Sequence, residues 1–89
     1  METTLFQTML KQWIPTPCPN SKWSIKKSDE ADDLVDVEVK CTMNIINQSE
    51  VISIKRTVMD DESKIEESVV ALNKHLFEIQ DIKTYQITG

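Results

Sequence analysis

The chain has 89 residues and a formal net charge of −5, which implies one small domain, residues 1–89, with too little material for a deep, enclosed catalytic pocket. The acidic balance argues against avid, non-specific binding to nucleic acid or anionic membranes, which relies on clustered Lys and Arg, although a basic face can sit inside an acidic total. No apolar run approaches the length of a membrane span, METTLFQTML lacks the basic start of a secretory signal, and two cysteines are few for a disulfide scaffold.

The expected setting is therefore intracellular, cytoplasmic or nuclear. Cys18 and Cys41 are read as reduced thiols, with a single disulfide as the alternative.

The first element reads as a helix. Thr4 followed by Gln7 fits a capping box, and Leu5, Phe6, Met9, Leu10 and Trp13 form one apolar stripe. Pro15 should stop it near Trp13. IPTPCPN, with prolines at 15, 17 and 19, is a stiff extended connection. SKWSIKK follows as a short strand with Trp23 and Ile25 on one face. SDEADD is an acidic turn.

VDVEVKCTMNI carries the clearest pattern. Val35, Val37, Val39, Cys41, Met43 and Ile45 alternate with polar residues, which predicts a half-buried antiparallel strand. NQSE (47–50) is the expected turn. VISIKRTVM is the third strand, with Ile52, Ile54 and Val58 on one face. Arg56 interrupts that face, which calls for a bulge or a position beyond the core at the sheet edge.

The last long element is a helix expected to start at Ser63, capped by Ser63 and Glu66. Ile65, Val69, Leu72, Leu76 and Ile79 make its apolar stripe, widened by Val70 and Phe77. Residues 81–89 read as a tail or a short extra strand. The whole is an α+β fold, α-β-β-β-α, with both helices on one face of a three-stranded antiparallel sheet and a core over about 4–80.

The order and spacing resemble the double-stranded-RNA-binding domain. LFQTMLKQW is similar to its first helix, PTPCPNSKW to the passage before its first strand, VEVKCTMNI to its second strand and SKIEESVVALNKHL to its second helix. The resemblance implies duplex contacts from the first helix, from the loop between the first two strands and from a basic start of the second helix. The corresponding residues here are Thr8, Lys11 and Gln12, then SDEADD, then Lys64 with Glu66 and Glu67. Two of the three regions carry the wrong charge for phosphate. In family members that bind proteins, the resemblance implies a partner surface on the third strand and second helix. Here that surface is Val51, Ser53, Lys55, Thr57, Asn73 and Phe77. The family's second helix is usually alanine-rich. The bulky Val69, Val70 and Leu72 imply a changed helix-to-sheet distance or a groove.

Other constellations have plain readings. Trp13 and Trp23 could stack bases, but read better as core around the proline-rich turn. His75 has no nucleophile motif beside it, and Cys18, Cys41 and His75 lack metal-ligand spacing. Asp29, Glu30, Asp32 and Asp33 lack the glycine and bidentate Glu of a calcium loop. No catalytic residues, metal, cofactor, membrane or small-molecule substrate is expected.

Three functions fit. The leading one is a non-catalytic protein-interaction module, forming a homodimer or docking on a partner in an RNA-processing or RNA-silencing assembly. The second is RNA binding through the first helix and the sheet lysines. The third is a small acidic phage or viral inhibitor that mimics nucleic acid with Asp29 to Glu38 and Asp60 to Glu67.

Overall fold

The computed structural model describes the backbone of residues 3–45 and 48–88, and the side chains of 4–44 and 48–82. Five elements follow in order: α1 (Thr3–Trp13), β1 (Ser21–Lys27), β2 (Leu34–Ile45), β3 (Gln48–Met59) and α2 (Glu62–Thr88). The strands form one antiparallel sheet in the order β1-β2-β3. This is the α-β-β-β-α arrangement predicted from the hydrophobic periods. β2 is the central strand because it alone presents an unbroken apolar face, with Val35, Val37, Val39, Cys41 and Met43 all buried.

Those residues meet Phe6 and Leu10 from α1, Ile14 just after it, and Ile65, Val69, Leu72 and Leu76 from α2 in one core. Trp23 and Ile25 add the β1 contribution. α1 packs over β1, and α2 over β2 and β3. Ser68 is buried where α2 meets the core, and its hydroxyl donates to the Lys64 carbonyl at 2.9 Å. Val70 is exposed, so it does not widen the buried stripe as expected.

Four local expectations are corrected. The Ser63–Glu66 box does not cap α2. The Asp61 carbonyl accepts from Ile65 N–H at 2.9 Å and its carboxylate accepts from Ser63 N–H at 3.3 Å, which makes Asp61 the cap and puts Ser63 inside the first turn. Thr4 is not the cap of α1, which already begins at Thr3, and Gln7 instead ties the helix to the sheet through Nε2, which donates to the Trp23 carbonyl at 2.9 Å. β2 and β3 stay paired out to Ile45 and Gln48, so residues 48–50 of the expected turn are strand, and Asn47 lies outside the described residues. Residues 81–88 continue α2 and form neither a loose tail nor a strand.

The proline-rich connection is fixed rather than free. Asn73 on α2 accepts from Cys18 N–H at 2.9 Å and donates to the Thr16 carbonyl at 3.3 Å. Asn20 adopts a left-handed φ of 62°, which Asn tolerates, and its carbonyl accepts from Thr42 N–H. Cys18 and Cys41 are free and buried, with their sulfurs 3.9 Å apart. Burial, reinforced by the hydrogen bond and charge of Cys41, pushes the Cys18 thiol from 9.0 up to about 11. Trp13 is half-buried, edge-to-face with Phe6 at 6.4 Å, and Trp23 is in the core.

Candidate interaction surface

The sheet has two outer edges, and the ladder shows which backbone groups each presents. In an antiparallel sheet, alternate residues turn their N–H and C=O toward one neighbour and then the other. Asp60 N–H donates to the Asp33 carbonyl and Thr42 N–H to the Asn20 carbonyl, one step beyond each end of the ladders. Extending this pattern, odd residues of β2 bond to even residues of β3. Even residues of β2 bond to even residues of β1. The odd residues of β1 and β3 therefore point outward. The Trp23 carbonyl follows this rule and is taken by Gln7. On β3, the edge strand of the sheet, the outward set is Ser49, Val51, Ser53, Lys55 and Thr57, of which Ser49, Val51, Ser53 and Lys55 are exposed.

The side chains of β3 divide between two faces. The helix-side face carries Glu50, Ile52, Ile54, Arg56 and Val58, opposite Met43, Cys41, Val39, Val37 and Val35. The pairing runs without interruption from Leu34 with Met59 to Ile45 with Gln48, so no bulge accommodates Arg56. Arg56 is exposed because β3 is the edge strand. Ile52, Ile54 and Val58 are half-buried and pack against the margin of the core.

The expected partner-binding residues separate into two groups. Val51, Ser53 and Lys55 are exposed on the outer face of β3. Thr57 shares that face but is half-buried, donating to Asp36 Oδ1 at 2.6 Å. Asn73 is buried and committed to the proline-rich connection, so it cannot serve as a free contact. Phe77 lines a groove with Trp13, Ile14, Pro15 and Thr16, on the α1 side of α2. The structure therefore places Asn73 and Phe77 away from the β3 edge. Sequence spacing alone missed this because Asn73 borders the apolar stripe like any surface residue, and its partner is 55 residues away.

The expected duplex contacts meet an acidic surrounding. Thr8, Lys11, Gln12 and Lys64 are all exposed. Gln12 shares a groove of about 620 Å³ with Met9, Trp13, Asp61, Glu62, Ser63 and Glu66. The Asp60–Asp33 backbone bond also draws the acidic 28–33 loop against the start of α2. Asp29, Glu30, Asp32 and Asp33 thus join Asp60, Asp61 and Glu62 at one end of the sheet. That pole repels phosphate where a duplex-gripping helix start would attract it.

The outer sheet face is more basic. Lys22, Lys26, Lys40 and Lys55 share it with Asp36 and Glu38. Asp36 is buried between Lys26 and Thr57 in the ladder, and Lys40 lies 4.0 Å from Glu38. The face is mixed in charge rather than a continuous basic patch.

His75 is exposed, with Nδ1 3.8 Å from Glu78 Oε2. Among the described residues no group of three or more His, Cys, Asp or Glu could hold a metal ion. No helix among them is long and apolar enough to cross a membrane. In comparison with known proteins, no family model, no curated protein and no solved structure matches this chain.

Proposed function

We propose that this chain is a non-catalytic protein-interaction module of the double-stranded-RNA-binding-domain type that works through the edge of β3. The observation that carries this reading is the contrast between an uncovered twelve-residue edge strand and an acidic α2 start. An exposed edge of β-branched residues offers main-chain hydrogen bonds to another chain. The acids replace the phosphate grip that duplex binding requires. The expected setting is an RNA-processing or RNA-silencing assembly, with a homodimer or a protein partner at the edge. Light scattering on a sizing column, together with capture by a tagged chain, tests it. A strictly monomeric protein that captures nothing, yet binds RNA duplex at micromolar affinity, would overturn the reading.

A second reading draws on the acidic pole. Seven carboxylates from the 28–33 loop and the 60–62 segment converge there, as in a protein that mimics a nucleic-acid backbone and occupies a basic cleft. Binding of a basic nucleic-acid enzyme, competed by duplex and lost when Asp32, Asp33 and Asp61 become Asn, supports that alternative. Binding unaffected by those changes rejects it.

A further inference from the structure

We propose that the partner of the β3 edge is a second copy of this chain, paired antiparallel about a two-fold axis that passes through Ser53. The inference rests on the interaction-module reading and specifies its partner.

Two antiparallel copies of one strand pair residue i with residue s − i, where s fixes the register. Side chains opposite one another must lie on the same face, so s is even. Few registers keep most of β3 paired, and their side-chain consequences can be read from the sequence. With Ser53 opposite its own copy, Ile52 lies opposite Ile54 and Glu50 lies opposite Arg56. The symmetry repeats each contact, giving two Ile–Ile pairs flanked by two Glu–Arg pairs. On the outer face Val51 lies opposite Lys55 and Ser49 opposite Thr57.

Neighbouring registers lose this match. Moving the axis to Ile54 sets Ile52 against Arg56. Moving it to Ile52 sets Ile54 against Glu50. Moving it to Lys55 places two lysines face to face. Of these registers only the Ser53 one sets Ile52 against Ile54 and Glu50 against Arg56 on the helix-side face, with Val58 opposite Gln48 at either end.

The backbone agrees with this choice. The outward N–H and C=O groups belong to Ser49, Val51, Ser53, Lys55 and Thr57, and these pair with one another in the Ser53 register. Ile52, Ile54, Glu50 and Arg56 then occupy the non-hydrogen-bonded positions. There Cα atoms are closest, about 4.5 Å apart, and cross-strand side chains interact most strongly.

Two further features fit. Ile52 and Ile54 are half-buried at the core margin in one chain, and the partner's isoleucines complete their cover. Val51, the most exposed large apolar side chain among the described residues at 64 %, gains the aliphatic stem of the partner's Lys55. Arg56, which interrupts an apolar face, acquires a role as the ion-pair partner of Glu50 across the interface. The product is a continuous six-stranded sheet with four helices on one face.

Charge reversal tests the register. Sedimentation velocity from roughly 10 to 500 µM should show a monomer–dimer equilibrium. Glu50→Arg alone sets Arg against Arg twice, and Arg56→Glu alone sets Glu against Glu twice. Each should weaken dimerisation by about tenfold or more. The double variant, Glu50→Arg with Arg56→Glu, restores both pairs and should return to within about threefold of the original. Circular dichroism checks that each variant is folded. Ser53→Pro, which removes an outward N–H and no internal ladder bond, is the second break and should leave a folded monomer.

A monomer throughout that range overturns the inference. If a tagged chain then captures a different protein through β3, the interaction-module reading survives without it. Dimers whose single and double variants weaken alike overturn the Ser53 register.

Discussion

The two edges of this sheet are handled in opposite ways. On the β1 edge, α1 lies over a seven-residue strand and Gln7 takes the outward Trp23 carbonyl. The adjoining connection is tied to α2 through Asn73. The β3 edge is twelve residues long, with half-buried isoleucines at its margin and outward backbone groups that no element covers. Protecting an edge against unwanted pairing is the ordinary requirement of a small sheet. On the proposed reading, the edge left without such a partner is where another chain pairs.

Several substitutions break or sharpen that contrast. Ile54→Pro and Ser53→Pro are neighbours on β3 with opposite expected effects. The Ile54 N–H faces β2, so proline there removes a ladder bond and should cost about 3 kcal/mol or more in urea unfolding. Phe6→Ala, which empties the contact between α1 and the core, should cost a similar 3–5 kcal/mol and expose the β1 edge. Asn73→Ala leaves the buried Cys18 N–H without its acceptor and should cost about 1–3 kcal/mol, most visibly as faster amide exchange at Cys18.

Alkaline titration probes the same clasp. A thiol held at about 11 when folded, against 9.0 when exposed, keeps its proton in the native state while the unfolded chain loses its own. Stability linked to Cys18 is therefore full below pH 9 and falls as pH rises from 9 to 11. Cys18→Ala should flatten that decline. An equally steep loss in the variant would assign it to other groups.

The smallest effects come last. Asp61→Ala should cost about 1 kcal/mol through loss of the α2 cap, whereas Ser63→Ala should be nearly neutral. Ser53→Pro should change the stability of the dilute monomer by less than about 1 kcal/mol.

Where periodicity alone decides, the sequence is a good guide to this molecule. The alternation from Val35 to Ile45 and the stripe from Ile65 to Ile79 place the central strand, the second helix and the shared core. Trp23 and Ile25 place the first strand. The face of β3 is equally readable, because only one phase of the strand puts Ile52, Ile54 and Val58 on the helix side.

Other features were hidden for identifiable reasons. The Asp60–Asp61–Glu62–Ser63 run offers more than one capping residue, and local pattern cannot choose between them. Residues 81–88 combine β-favouring and helix-favouring types, and helix propagation from a packed segment overrides that mixture. The clasp from Asn73 to Cys18 and Thr16 joins distant segments through a polar residue with no local signature. The division of the expected partner surface, with Phe77 on the α1 side, depends on how α2 is rotated, and its broad apolar stripe does not settle that alone.

Amide hydrogen exchange along β3 at low and high protein concentration tests the open edge most directly. The account predicts slow exchange at Ile52 and Ile54 under both conditions, because their N–H groups face β2. At Val51, Ser53 and Lys55 it predicts fast exchange in dilute solution and slowing of about tenfold or more when concentrated, as the edge becomes paired. Concentration-independent exchange at those three residues would contradict self-pairing, and uniformly slow exchange there in dilute solution would contradict the open edge itself.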